Sequence, residues 1–156
     1  MPNSQSNIPA DWDRQGLPGW TYNNEELFAL EQDLLFRRHW QLACHLGDLP
    51  EAGAYITFDM GHERALILRD KNGQIRAFHN LCRHRGSRVV EADTGICKSA
   101  LTCPFHGWTY NLDGTLRAAA RPASFPELDP VEWGLKPVEM EIWHGFVFVR
   151  FQPGPQ

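Results

Sequence analysis

Two short stretches of this chain carry the side chains best suited to chemistry. The first reads Cys82-Arg83-His84-Arg85-Gly86, and after eighteen intervening residues from His84 the second reads Cys103-Pro104-Phe105-His106-Gly107-Trp108. One holds a Cys-x-His pair and the other a Cys-x-x-His pair, each followed by glycine. Thiolate is a soft, charged donor and imidazole a neutral, borderline one, so two of each suit tetrahedral zinc or a two-iron cluster. Two loops closing on one metal centre account for both stretches.

The way the donors are shared separates these options. Zinc fingers of the Cys2His2 kind take both cysteines from one loop and both histidines from a helix, whereas each loop here supplies one of each. One iron can then take both thiolates and the other both imidazoles, which is the ligation of a Rieske [2Fe-2S] centre. A zinc-stabilised binding module stays as the alternative.

The run Asn80-Leu81-Cys82-Arg83-His84-Arg85-Gly86-Ser87, with Cys103-Pro104-Phe105-His106-Gly107-Trp108-Thr109-Tyr110, resembles the Rieske domain of the large (alpha) subunit of Rieske non-haem iron oxygenases. These are the ring-hydroxylating dioxygenases and their monooxygenase relatives. The resemblance extends from about Tyr22 to Phe151, most of this chain but only the first part of such a subunit. It implies a Rieske [2Fe-2S] cofactor with Cys82 and Cys103 on a buried iron and His84 and His106 on the outer one. Arg83, Gly86 and Trp108 complete the expected cofactor-binding set. It also implies a reductase or ferredoxin as electron donor and a homotrimer of full-length subunits. A mononuclear Fe(II) site is expected only in a catalytic domain that this chain lacks. In this chain His39, His45, His62 and His144 are scattered with no His-x4-His and aspartate set, so no catalytic residue is assigned.

The ligands set expectations for the cluster. With two ferric ions, two sulfides and two thiolates the oxidised core is formally neutral, and one electron makes it negative. Rieske potentials span roughly −150 to +300 mV, against about −400 mV for plant-type clusters. Respiratory Rieske proteins place a serine hydroxyl after the second His-Gly, where this chain has Trp108, so a value toward the low end is expected. Their extra disulfide-forming cysteines correspond here to Ser87 and Phe105, leaving Cys44 and Cys97 as free thiols of a reducing compartment. Gly86 and Gly107 are expected to let the backbone approach the sulfides, and Pro104 to stiffen its turn. Trp108 and Phe105 are expected either to shield the cluster from water or to be ordinary core residues. Arg83, Arg85 and Arg88 either offset its charge and receive an acidic partner, or form a solvated loop with one arginine bridging to the second loop. His79 is read as structural, and His39 as a surface or packing residue.

Composition excludes several classes. The 156 residues, 42% hydrophobic and 22% charged, are enough for one domain with a proper core and no disulfide staples. Net charge is −4, unsuited to nucleic acid or an anionic membrane surface. No apolar run approaches a membrane span, and the polar start lacks the basic and apolar regions of a signal peptide, so a cytoplasmic setting is expected.

The positioning elements read as mostly β: a Rieske-type antiparallel barrel or sandwich with a small cluster-binding lobe, preceded by one N-terminal α-helix. Residues 1–22, with Trp12 and Trp20, form an irregular arm. Residues 23–40 form a helix: Leu27, Phe28, Leu30, Leu34 and Leu35 recur at helical spacing, Asn23 or Asn24 can cap the start, and acids precede bases. The Rieske domain occupies 41–151, its cluster lobe about 79–118. Short β runs fall at 41–46, 55–58, 65–69, 74–78, 108–111, 115–117, 138–143 and 146–151, with turns at Asp70-Lys71-Asn72-Gly73, Leu112-Asp113-Gly114 and His144-Gly145. Residues 121–130, with three prolines, make a loop, and 152–156 a linker-like tail. The leading reading is one-electron transfer as the electron-accepting domain of an oxygenase. A standalone Rieske ferredoxin is the second reading, disfavoured by the N-terminal helix and arm.

Overall fold

The computed structural model describes residues 16–121, 124–125 and 127–153. Ten strands among them form three antiparallel sheets. Strands β2 (Ala54–Met60), β3 (Glu63–Arg69), β4 (Ile75–His79) and β5 (Thr94–Ile96) make a sheet ordered β4-β3-β2-β5. Strands β1 (Gln41–His45), β9 (Glu139–Trp143) and β10 (Phe146–Arg150) make a second, ordered β1-β10-β9. Strands β6 (Leu101–Thr102), β7 (Thr109–Tyr110) and β8 (Leu116–Ala118) make the small third sheet. The mostly-β architecture expected from the sequence is therefore the one observed; β5 and β6, too short to show a period of two, were not legible there.

Strand β3 explains how the layers are held together. Ala65, Leu66, Ile67 and Leu68 are all fully buried, because the strand is covered on both faces and reads as an unbroken apolar run. Alternation sends Ala65 and Ile67 into one core, with Cys44, Leu49, Val147 and Val149 of the β1-β10-β9 layer. Leu66 and Leu68 enter a second core, with Cys82, Leu101, Cys103, Trp108 and Tyr110. One strand thus carries the scaffold core on one face and the lobe containing both motifs on the other.

Asp70 closes the β3–β4 hairpin. Fully buried, it accepts the Asn72 and Gln74 N–H groups at 2.8 and 2.9 Å and the Arg76 guanidinium at 3.1 Å. Burial alone would raise its pKa, but those donors outweigh it and hold the carboxyl below its ordinary value.

The N-terminal helix differs from its expected form. An α-helical stretch at Glu25–Glu31, capped by Asn24 accepting from the Leu27 N–H at 2.8 Å, runs into a π-helical turn at Gln32–Phe36. The wider turn re-phases the apolar stripe, and Phe28, Leu30, Leu34 and Leu35 remain exposed. Arg37, 2.7 Å from Glu63, ties its end to β3. Of the expected arm, Gly19–Tyr22 forms a 3-10 turn, and residues 1–15, including Trp12, lie outside the described residues.

Candidate metal centre

The two motif loops are built alike. In the first, the Cys82 N–H donates to the Ser87 carbonyl at 2.7 Å and the Gly86 N–H to the Cys82 carbonyl at 2.9 Å. In the second, the Cys103 N–H donates to the Trp108 carbonyl at 2.8 Å and the Gly107 N–H to the Cys103 carbonyl at 2.9 Å. Gly86 and Gly107 each sit at φ +72°, a left-handed conformation that side chains disfavour. No protein atom lies within 4 Å of a Cβ built at Gly86, so the backbone angle, rather than crowding by the chain itself, already requires glycine there.

Each loop is anchored differently. The second is the turn between β6 and β7. The first is closed by Asn80, fully buried, whose side-chain oxygen accepts the Val89 and Val90 N–H groups at 3.0 and 3.1 Å while its amide donates to the Val90 carbonyl at 2.8 Å. One carboxamide thus pins both ends of the segment that carries Cys82 and His84.

These anchors bring the motif donors in as pairs, imidazole beside imidazole and thiol beside thiol. The Nδ1 atoms of His84 and His106 lie 3.2 Å apart. Two nitrogens bound about 2.1 Å from one tetrahedral metal would be separated by about 3.4 Å, so the pair is spaced for a shared ion. Cys82 and Cys103 are buried at 4% and 1% exposure, while His84 is half-buried and His106 exposed. Among the described residues, no three or more His, Cys, Asp or Glu side chains gather as one mononuclear site would require. Two thiols and two imidazoles, arriving as separate pairs, are a donor set that fits a [2Fe-2S] core.

Residues 39–131 match the Rieske [2Fe-2S] domain. This chain belongs to the Rieske [2Fe-2S] domain family.

The chain is 35% identical over 139 residues to the glycine betaine monooxygenase oxygenase subunit of Pseudomonas aeruginosa, covering 89% of this chain and 32% of that protein. It is 38% identical over 131 residues to the biphenyl 2,3-dioxygenase subunit alpha of Rhodococcus jostii, covering 83% and 28%. A solved quaternary ammonium Rieske monooxygenase, a structure bearing on carnitine oxidation and inter-subunit electron transfer, superposes with a TM-score of 0.79 at 31% identity, covering 89% of this chain and 38% of that one. The chain spans about a third of the length of the curated relatives it matches. Those relatives are oxygenase subunits, and this chain corresponds to their Rieske part.

Around the four donors the Rieske domain supplies further groups. The Tyr110 hydroxyl accepts the Arg83 N–H at 2.9 Å and lies 3.2 Å from Cys82 Sγ, leaving its own proton free to point at sulfur. Burial raises the pKa of Tyr110 and so keeps that proton in place. In the metal-free thiol form, burial also pushes Cys82 up, partly offset by Tyr110, so metal binding must displace a proton. Burial, His106 and Arg85 together lower the pKa of His84, favouring the neutral form that ligates.

Other residues take definite places. Trp108, 1% exposed, packs in the core of the lobe, whereas Phe105 is 63% exposed and packs on His106 at the surface. The Arg83 guanidinium lies over the Trp133 ring at 6.0 Å, and Arg88 pairs with Asp59 of β2. His79 faces Glu63 and packs on Phe151, and His39 is exposed. Sequence reasoning missed the roles of Tyr110, Asn80, Trp133 and Phe125. Tyr110 lay inside the recognised motif, but its reach to Cys82 spans twenty-eight residues and follows only from the packing of the two loops in the lobe core. No helix among the described residues is long and apolar enough to cross a membrane.

Proposed function

We propose that this Rieske domain is the electron-accepting domain of a ring-hydroxylating or related Rieske oxygenase, with Cys82 and Cys103 holding one iron and His84 and His106 the other. Bound there, a [2Fe-2S] cluster supplies reversible one-electron uptake and release. The reading is carried by the 3.2 Å approach of the two imidazole Nδ1 atoms, on loops whose two thiols are buried. Cys82 and Cys103 hold the core in the low-dielectric interior. Tyr110 directs a proton to one ligand sulfur, and Trp108 keeps water from that side. His84 and His106, bound through Nδ1, leave their Nε2–H groups toward the surface, where a partner can contact them.

The electron donor in this reading is a reductase or ferredoxin. The recipient is a mononuclear iron held outside this chain, in a neighbouring subunit of a homotrimer, in keeping with the inter-subunit transfer described for the quaternary ammonium relative. The relatives act on aromatic and on quaternary ammonium compounds, so both substrate classes stand open. A cytoplasmic setting belongs to the same reading, supported by the unpaired thiols of Cys44 and Cys97.

The test is electron spin resonance of the purified, dithionite-reduced chain with His106→Cys beside it. The parent is expected to take up one electron per two irons and show a Rieske signal that the variant loses. An unchanged signal in the variant would refute the ligand assignment, and zinc in place of iron and sulfide would refute the function.

A further inference from the structure

The two histidines differ in how their rings are held. His84 stacks on Trp108 at 5.2 Å with the planes 14° apart. Phe125 stands edge-on to both, 5.7 Å from His84 at 84° and 5.4 Å from Trp108 at 85°. Trp108 is backed in turn by Trp133 at 6.0 Å, so the wall on which His84 rests is itself supported. His106 is exposed, and beyond His84 its ring contact is the exposed Phe105, 4.1 Å away.

We propose that Phe125 is a positioning residue for His84. A flat ring confined by a parallel face on one side and a perpendicular ring on another cannot turn about its Cβ–Cγ bond without striking one of them, so the imidazole plane is set before any metal arrives. Phe125 comes from the loop between β8 and β9, which sequence reading treated as a connector, and it lines the surface groove that reaches His84 and His106 together with Trp108, Ala120 and Arg121. It therefore also limits water at the His84 edge. Reduction adds negative charge to the core, which water stabilises, so removing Phe125 favours the reduced state and raises the midpoint potential.

This inference rests on the ligand reading above, and one set of measurements separates the two. The cluster-loaded chain and its Phe125→Leu and Phe125→Tyr variants are reduced, and the two histidine-nitrogen hyperfine couplings are read by electron spin echo modulation, with midpoint potentials from a spin-resonance-monitored titration. In Phe125→Leu one coupling is expected to shift while the other stays, and the potential to rise; Phe125→Tyr, which keeps the ring, is expected to match the parent. Should the leucine variant not load iron, Phe125→Met, which fills similar space without a ring, takes its place with the same expectations. Couplings and potential identical to the parent's, or both couplings moving together, would overturn the positioning role. A parent without any Rieske signal would sink the ligand reading instead.

Discussion

Tyr110 is the residue whose chemistry is most exposed to test. Its hydroxyl accepts one N–H, from Arg83, and lies 3.2 Å from the Cys82 sulfur, which becomes a better acceptor when an electron is added. Tyr110→Phe removes that donor while keeping the ring packed. A hydrogen bond strengthened by about 1 kcal/mol on reduction corresponds to about 40 mV for one electron. The variant is therefore expected to titrate about 40 mV below the parent in a spin-resonance-monitored redox titration; an equal or higher value would mean that the hydroxyl does not donate to sulfur. Trp108 in place of serine after His106-Gly107 lowers the expected potential, while Tyr110 partly offsets that loss. Cys44, whose thiol burial and then Asp48 push up to about 11, stays protonated at neutral pH.

At the scale of elements, two buried polar side chains hold the connections. Asn80 satisfies two N–H groups and one carbonyl at the ends of the first motif loop. Asn80→Ala leaves all three buried without partners, and a loss of about 3 kcal/mol is expected in denaturant unfolding, with cluster retention reduced in parallel. Asp70 gives a pH signature. Its folded pKa is depressed, so its contribution is complete above the ordinary value of 3.8 and is lost as pH falls through the lower folded value. Unfolding free energy measured from pH 7 down to pH 2 should therefore fall less steeply in Asp70→Asn than in the parent. Parallel curves would show that the Asp70 charge contributes nothing. The hairpin turn itself was legible from Asp70-Lys71-Asn72-Gly73, since Gly73 adopts the φ of +80° that such a turn requires.

The whole molecule is divided by its central sheet into two cores with different dependence on metal. The scaffold core, with Leu49, Ile67, Val147 and Val149, contains no proposed ligand, whereas the lobe core includes Cys82 and Cys103 themselves. Stripping iron and sulfide is expected to raise amide hydrogen exchange about tenfold or more over residues 80–118, the equivalent of about 1.4 kcal/mol of local stability, while β1, β3 and β10 keep their protection. Uniform loss of protection across all three sheets would show that the cores fold as one unit.

What could be read in advance follows from how far each interaction reaches along the chain. Donor type and spacing within Cys82–His84 and Cys103–His106, the glycine after each pair, and the period of the longer strands are local, and local patterns expose both the metal chemistry and the mostly-β class. The N-terminal helix was also legible as a helix, but its π turn and its exposed apolar residues were not, because these depend on the surface against which it is laid. Only the tertiary structure decided that Asn80 closes its loop, that the Tyr110 hydroxyl reaches Cys82, and that Phe125 stands against His84. Those contacts join residues nine, twenty-eight and forty-one positions apart, separations at which chain spacing carries no information and packing alone sets which groups meet.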